Sequence, residues 1–288
     1  MYIIKVRYLA YKGEEMEEVE FYLKDLKSRF QILDFEKYYL SYSGGKDSHF
    51  LYWFIKDYLK DNKIEIVAVN TYLEHSEILK RMHKYSDVIL LPKMKPMDIK
   101  RQYGSPCFSK SQDEFIRRYQ NGSRSRSLLE RVHGTKPSFY SLSKKARTYL
   151  LSGEAHKISA LCCKYLKKDP FREYEKKYNK RAILGVRGNE SKMRSSQYKG
   201  CFTKHGTFTP LYDLDDDLLN AIYKKYTIEI PNIYDYVSRT GCIGCPYGSW
   251  KGETKIELDL VNGKRKEFIV DYFKESYDIL GIDYKTHQ

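Results

Sequence analysis

The sequence predicts an α/β fold: a mostly parallel sheet with helices on both faces. Three observations predict it. Short apolar runs that read as buried strands alternate with longer runs that read as helices. A Gly-rich turn joins the first strand to the helix after it. Ser43, Asn70-Thr71 and Arg187 each fall just past a predicted strand end, where open parallel sheets collect ligands.

The elements follow in order. Residues 14–30 carry a partial helical stripe through Met16, Val19, Phe21, Leu23, Leu26 and Phe30. Residues 38–42 form the first core strand, and the apolar run from Phe50 to Leu59 a packed helix. Ile64 to Val69 is a second strand, Ser76 to Tyr85 a helix, and Val88 to Leu91 a third strand. Residues 95–160 read as helices and loops, broken at Gly122, Gly134 and Pro137. Ala182 to Val186 is a fourth strand, followed by helices over Leu218 to Tyr226 and Glu267 to Leu280. The organisation expected is an N-terminal helical extension (1–36), a nucleotide-binding α/β domain (37–205) and a C-terminal segment (206–288) with a cysteine loop and a helix.

The most informative stretch is Ser43-Gly44-Gly45-Lys46-Asp47-Ser48, between the first strand and its helix. A strand, a Gly-rich turn and a helix N-terminus together suit a phosphate: the glycines let backbone N–H groups approach it and the helix dipole adds positive potential. Ser43 and Ser48 offer hydroxyls and Lys46 a charge. Asp47 suits placement of Mg²⁺ or a helix cap. The spacing is not G-x-x-x-x-G-K-[ST], so this is not the common P-loop.

Of six cysteines, four form a pattern: adjacent Cys162-Cys163, then Cys242-Ile243-Gly244-Cys245-Pro246 after 78 intervening residues. A C-x-x-C turn presents two thiolates to one metal and a second pair completes four ligands. Adjacent cysteines normally point apart, which suits a cluster with spread corners. Tetrahedral zinc has the same ligand set, and a disulfide framework is the weaker alternative in a chain of 288 residues with no signal-peptide pattern. The seven histidines show no metal spacing.

The net charge of +14 is unevenly spread: residues 95–204 hold 27 Lys and Arg against 9 Asp and Glu. Within this segment lie Arg117-Arg118-Tyr119, Arg124-Ser125-Arg126, Lys144-Lys145-Ala146-Arg147 and Lys164 to Lys168, with Phe139, Tyr140, Tyr149 and Tyr165 interleaved. Cations for phosphates and rings for bases suit a polyanion such as DNA or tRNA; a solvated basic surface is the plain alternative. No apolar run reaches membrane-spanning length. The expectation is a cytoplasmic protein with no membrane partner, able to form a homodimer.

These motifs carry a resemblance. Ser43 to Ser48 resembles the SGGxDS signature of the PP-loop pyrophosphatase superfamily, and the chain from about Tyr38 to Trp250 is similar to the phosphoadenosine-phosphosulfate (PAPS) reductase family, in its phage-type and sulfurtransferase-like branch. The resemblance implies an adenine nucleotide α-hydrolase-like, Rossmann-like domain that binds ATP or adenylyl-sulfate, with Mg²⁺. It also implies a 4Fe-4S cluster on Cys162, Cys163, Cys242 and Cys245, with zinc the alternative. Asn70-Thr71 stands where the family has Asp-Thr-Gly near the nucleoside, the Asp and Gly being absent here. Gly185, Arg187, Glu190, Ser191 and Arg194 fit the pattern G-x-R-x-x-E-S-x-x-R, whose guanidinium groups suit phosphate or sulfate. Pro210-Leu211-Tyr212-Asp213 and Arg239 to Pro246 resemble the Pro-Ile-x-Asp segment and the cluster loop.

One departure matters. The reductases attack sulfur with a cysteine on a C-terminal tail, and no cysteine follows Cys245 here. Cys201, or Cys107, is the substitute nucleophile to expect. The leading expectation is therefore ATP-dependent sulfur transfer to, or adenylation of, a nucleic-acid target, assisted by a sulfur-donor protein. An adenylyl-sulfate reductase and a non-catalytic nucleotide-sensing module are the alternatives.

Overall fold

The computed structural model describes residues 2–135, 141–188 and 196–285. In chain order its helices and strands are α1 (Tyr2–Gln31), β1 (Tyr38–Ser41), α2 (Lys46–Trp53), β2 (Glu65–Val69), α3 (Ser76–Tyr85), β3 (Val88–Leu90), α4 (Pro96–Tyr103), α5 (Lys110–Gln120), α6 (Arg126–His133), α7 (Lys144–Leu151), α8 (Asp169–Tyr178), β4 (Arg181–Ile183), α9 (Asp216–Lys225), α10 (Glu253–Asp259) and α11 (Gly263–Leu280). They fall into two compact units interleaved along the chain. The first comprises Met1–Ala68, Glu77–Leu90 and Glu173–Pro231; the second comprises Val69–Ser76, Leu91–Arg172 and Asn232–Gln288.

The first unit is built on a four-stranded sheet in the order β3-β2-β1-β4. β1 runs parallel to both neighbours, with Leu40 opposite Ile66 on one side and Ile183 on the other. Tyr39, Leu40, Ile66, Val67 and Ala68 are all buried. Burial of consecutive residues means that both faces are covered, which is why these strands read as continuous apolar runs. Phe30 of α1 meets the rings of Phe54 and Phe208, each at 5.2 Å. The consequence for function lies in the strand order. β2 follows β1 on one side and β4 joins it on the other, so the order reverses at β1, and its carboxyl end opens the crevice where such sheets bind ligands.

In the second unit α4 to α7, α10 and α11 enclose two apolar clusters. One holds Ile116, Leu128, Val132, Ala146 and Ile158 with Cys107. The other holds Ile269, Tyr272, Phe273 and Tyr277 of α11 with Leu258, Ile243 and Cys162.

Differences from the expected elements have local causes. The fourth strand ends at Ile183, not Val186; on its outer edge Ile183 makes an isolated parallel bridge to Phe208, through Phe208 N–H to Ala182 O and Leu184 N–H to Phe208 O, both at 2.9 Å. α1 covers Tyr2–Gln31 rather than 14–30. α9 begins at Asp216, before its apolar stripe, because the Asp215 side chain caps it by accepting from the Leu218 N–H at 2.8 Å. α10, a short helix, was not anticipated. Among the described residues no helix is long and apolar enough to cross a membrane.

Candidate functional site

In the first unit, the turn after β1 is shaped by its own residues. Gly44 sits at φ +72°, and a Cβ there would come within 2.9 Å of the Ile78 side chain and 3.0 Å of its carbonyl oxygen, so glycine is required twice over. Ser48 Oγ accepts from the Ser43 N–H at 3.2 Å, lies 3.0 Å from Ser43 Oγ and donates to the Gly45 carbonyl at 3.0 Å. The two serines, expected to face a phosphate, brace the loop from inside. α2 starts at Lys46 directly after Gly45, which presents its first N–H groups at the end of the central strand.

Gly185 explains how the segment after β4 comes alongside. A Cβ there would stand 2.9 Å from the Asp47 carbonyl carbon and 3.0 Å from the Ser48 nitrogen. Two residues on, the buried Arg187 donates from Nε to Asp47 Oδ1 and from Nη2 to Asp216 Oδ1, both at 2.8 Å. The guanidinium expected to grip an anion is thus engaged by two carboxylates. The Lys46 ammonium donates to Asn220 Oδ1 and lies 5.6 Å over the Tyr223 ring, while the Tyr223 hydroxyl donates to the Lys46 carbonyl at 2.6 Å. Burial pushes the Lys46 pKa down, and the nearby Arg187 charge pushes it the same way. α9 supplies Asp216, Asn220 and Tyr223 at i, i+4 and i+7, one helix face turned to the loop. Reading the sequence for motifs missed all three; that spacing was the available signal. Glu190 and Arg194 lie outside the described residues.

The substitute nucleophiles are placed unequally. Cys107 is fully buried among Ile116, Val132 and Ile158, and burial pushes its thiol up to about 12. It is a packing residue, since a thiol this far from ionisation supplies no thiolate. Cys201 is partly exposed; burial raises its pKa and Arg29 opposes the rise. Arg29 also anchors the Pro210 to Asp213 segment, donating to the Pro210 carbonyl at 2.6 Å and to Asp213 Oδ1 at 2.7 Å.

In the second unit, the four patterned cysteines come within electrostatic reach of one another. Cys162 and Cys163 open a helical turn, not an extended segment, so their side chains diverge by about 100° rather than pointing apart. The Cys163 thiol is lowered to about 5, first by the neighbouring Cys162 and, against the opposing effect of burial, by Lys110, Lys167 and Lys168. The opposite pair is a tight turn: the Cys245 N–H donates to the Cys242 carbonyl at 3.2 Å, and the Ile243 N–H to the Leu73 carbonyl at 2.7 Å. Gly244 is at φ +65°, and a Cβ there would meet the Tyr277 hydroxyl and stand 3.0 Å from Ile269 and Leu258. The Gly244 N–H donates to Glu257, whose carboxyl burial raises to about 7.

Thr71, expected beside a nucleoside, belongs to this group instead. Its hydroxyl lies 3.9 Å from Cys242 Sγ and its N–H donates to Glu74 at 3.0 Å. The Asn70 side chain accepts from the Tyr72 N–H at 2.8 Å and holds the turn. Lys167 was not singled out from its basic run. It follows Cys163 by one turn, and the negative charge of Cys242, then of Glu74 and Cys163, holds its ammonium charged. All six cysteines are free, and among the described residues no three His, Cys, Asp or Glu side chains converge on one metal-sized point.

The basic stretches carry much of their own compensation. Arg117 pairs with Glu114 at 2.7 Å and Lys164 with Asp169 at 3.0 Å. Arg124 stacks 4.0 Å over Tyr119, and Tyr149 bonds His156 at 3.0 Å. Arg126, Lys144 and Lys145 are exposed. Phe139 and Tyr140 lie outside the described residues.

No protein-family model matches the chain, and no curated protein does. Solved structures give remote likenesses. The PAPS reductase of Candida auris, in a phosphate complex, is 15% identical over 76% of this chain and 90% of its own, with a TM-score of 0.41. The NH3-dependent NAD synthetase of Campylobacter jejuni is 14% identical over 95% and 99%, at 0.36. The NMN synthetase of Francisella tularensis is 14% identical over 95% and 99%, at 0.38. Likenesses at this level carry no argument about chemistry, which rests on the residues themselves.

Proposed function

We propose that this chain is a PAPS reductase-like PP-loop enzyme that binds ATP in its first unit and a 4Fe-4S cluster in its second. On this reading it uses them for ATP-dependent sulfur transfer to, or adenylation of, a DNA or tRNA target. The observation that carries the reading is the approach of Cys162, Cys163, Cys242 and Cys245, from segments 78 residues apart in sequence, to within electrostatic reach of one another and of Lys167.

The fit to a cluster can be tested on the donors. All four are thiols, soft ligands that select iron–sulfur centres or zinc. An adjacent pair and a C-x-x-C turn offer the four thiols to a group with spread corners. Lys167 offers charge compensation to a thiolate-ligated group. When bound, the cluster supplies a polarising, electron-rich centre that can position sulfur. The cysteines hold it, and the Gly244 turn fixes the spacing of two of them.

In the first unit, the N–H groups opening α2 and the backbone at Gly44 and Gly45 receive the phosphates, and Lys46 turns from Asn220 to neutralise them. Asp47, oriented by Arg187, is the carboxylate offered to Mg²⁺, which typically takes one or two carboxylates plus phosphate oxygens. The target oxygen attacks the α phosphorus, the bond to the β phosphate breaks, and pyrophosphate leaves. A sulfur nucleophile from a donor protein then displaces AMP. The exposed Arg126, Lys144 and Lys145 would hold the polyanion, with affinity falling steeply in salt.

Lys46→Ala tests the nucleotide half: loss of ATP binding is expected, and unchanged affinity would remove the assignment. Iron and acid-labile sulfide analysis after anaerobic purification tests the other half. About four of each per chain is expected for a 4Fe-4S centre; one zinc and no sulfide would make the cysteines a structural staple.

A further inference from the structure

α11 turns two fully buried tyrosines into the apolar cluster that holds Cys162. They are treated differently. The Tyr277 hydroxyl donates to the Gly244 carbonyl at 2.5 Å. The Tyr272 hydroxyl, on a side chain with 0% exposure, has no hydrogen-bond partner among the described residues. A buried hydroxyl ordinarily finds a partner, because leaving it unpaired forfeits a hydrogen bond made in water. Sulfur belongs to the same surroundings: the apolar cluster that holds Tyr272 with Leu258, Ile269 and Phe273 also holds Cys162, and Cys163 and Cys242 pack against it. The ionisation of Tyr272 is opposed by burial first and then by Cys162, Cys242, Cys245 and Cys163.

We infer that Tyr272 is a positioning residue for the group bound by the four cysteines, its hydroxyl donating a hydrogen bond to a sulfur of the bound cluster. The inference rests on the cluster reading above and adds a residue to it. A donor on cluster sulfur stabilises the extra negative charge of the reduced state, so it raises the reduction potential. Phenylalanine at this position keeps the ring that fills the core and removes only the donor.

The experiment uses the full chain purified anaerobically. Iron and sulfide are assayed, and the midpoint potential is measured for the wild type and for Tyr272→Phe. Equal iron and sulfide with a lower potential in Tyr272→Phe is the expected result. Equal loading with an unchanged potential overturns the role of Tyr272 and leaves the cluster standing. A wild type with no iron and sulfide removes the cluster reading and this inference with it. Should Tyr272→Phe fail to load, resonance Raman spectra of the wild type in H2O and D2O decide. Fe–S stretching bands that shift on exchange support a donor on sulfur; bands that do not move overturn it.

Discussion

Arg187 donates from Nε to Asp47 Oδ1 at 2.8 Å, so the segment after β4 is tied to the first turn of α2 by a buried guanidinium. The same guanidinium donates from Nη2 to Asp216 Oδ1 at 2.8 Å, so it also ties the start of α9 to the loop.

Removing the cation should therefore be costly. Arg187→Met removes the cation from Asp47 and Asp216, and a loss of roughly 3 kcal/mol is expected, the lower end for breaking a buried pair. Denaturant unfolding measures it, with ATP titration alongside. A loss under about 0.5 kcal/mol, the size of an ordinary surface substitution, would show that the pair does not hold the loop.

Gly185 should tolerate no side chain. An added Cβ would meet the Asp47 and Ser48 backbone at 2.9 to 3.0 Å, which neither residue can relieve by changing rotamer. Gly185→Ala is expected to cost about 1–3 kcal/mol, the range for overpacking, and to weaken ATP binding. Gly200→Ala, where a Cβ meets nothing within 4 Å, is the control and should be neutral. Equal effects at the two positions would refute the close approach.

The cysteines should separate into two classes. Cys163→Ser and Cys245→Ser should each abolish iron and sulfide binding. Cys107→Ala should retain both and lose about 1 kcal/mol of stability, the scale of one small buried group. Loss of the metal in Cys107→Ala at unchanged stability would place Cys107 among the ligands.

Stability should depend on pH through Asp113. Its fully buried carboxylate accepts from the N–H groups of Cys107 and Phe108 at 2.7 and 3.0 Å and from the Tyr247 hydroxyl at 2.7 Å, yet burial outweighs these bonds and raises its pKa to about 6. The folded form thus keeps a proton between about pH 4 and 6 that the unfolded chain has lost. The unfolded state binds fewer protons in that window, so stability falls as pH rises through it, by up to roughly 3 kcal/mol. Glu257, raised to about 7, adds a slope of the same sign. Asp113→Asn should be less stable overall but should lose its share of the slope. An identical slope in the variant would mean that Asp113 titrates normally.

Much of this was legible in the sequence because it is local. Continuous apolar runs mark strands covered on both faces, and β1, β2 and β3 lie within a residue or so of expectation. Gly44 and Gly244 announce turns that only glycine can make. The four-cysteine pattern is a statement about spacing. The illegible parts are relations between distant residues of the same chemical type. The lone cysteines Cys107 and Cys201 look alike in sequence, yet one is sealed among aliphatic side chains and the other is partly exposed near Arg29. Thr71 follows a strand as a nucleoside contact would, yet its hydroxyl reaches Cys242.

The sequence by itself determined the α/β class, the phosphate-suited turn and the number and spacing of the thiols, since backbone freedom, apolar periodicity and ligand count are properties of neighbouring residues. Only the tertiary structure decided what surrounds them. It put Asp216, Asn220 and Tyr223 on the α9 face turned to the loop, Lys167 among the cysteines, and the Tyr272 hydroxyl in an apolar core with no hydrogen-bond partner among the described residues. Those pairings depend on which helix faces are buried against each other, a condition that no short stretch of chain contains.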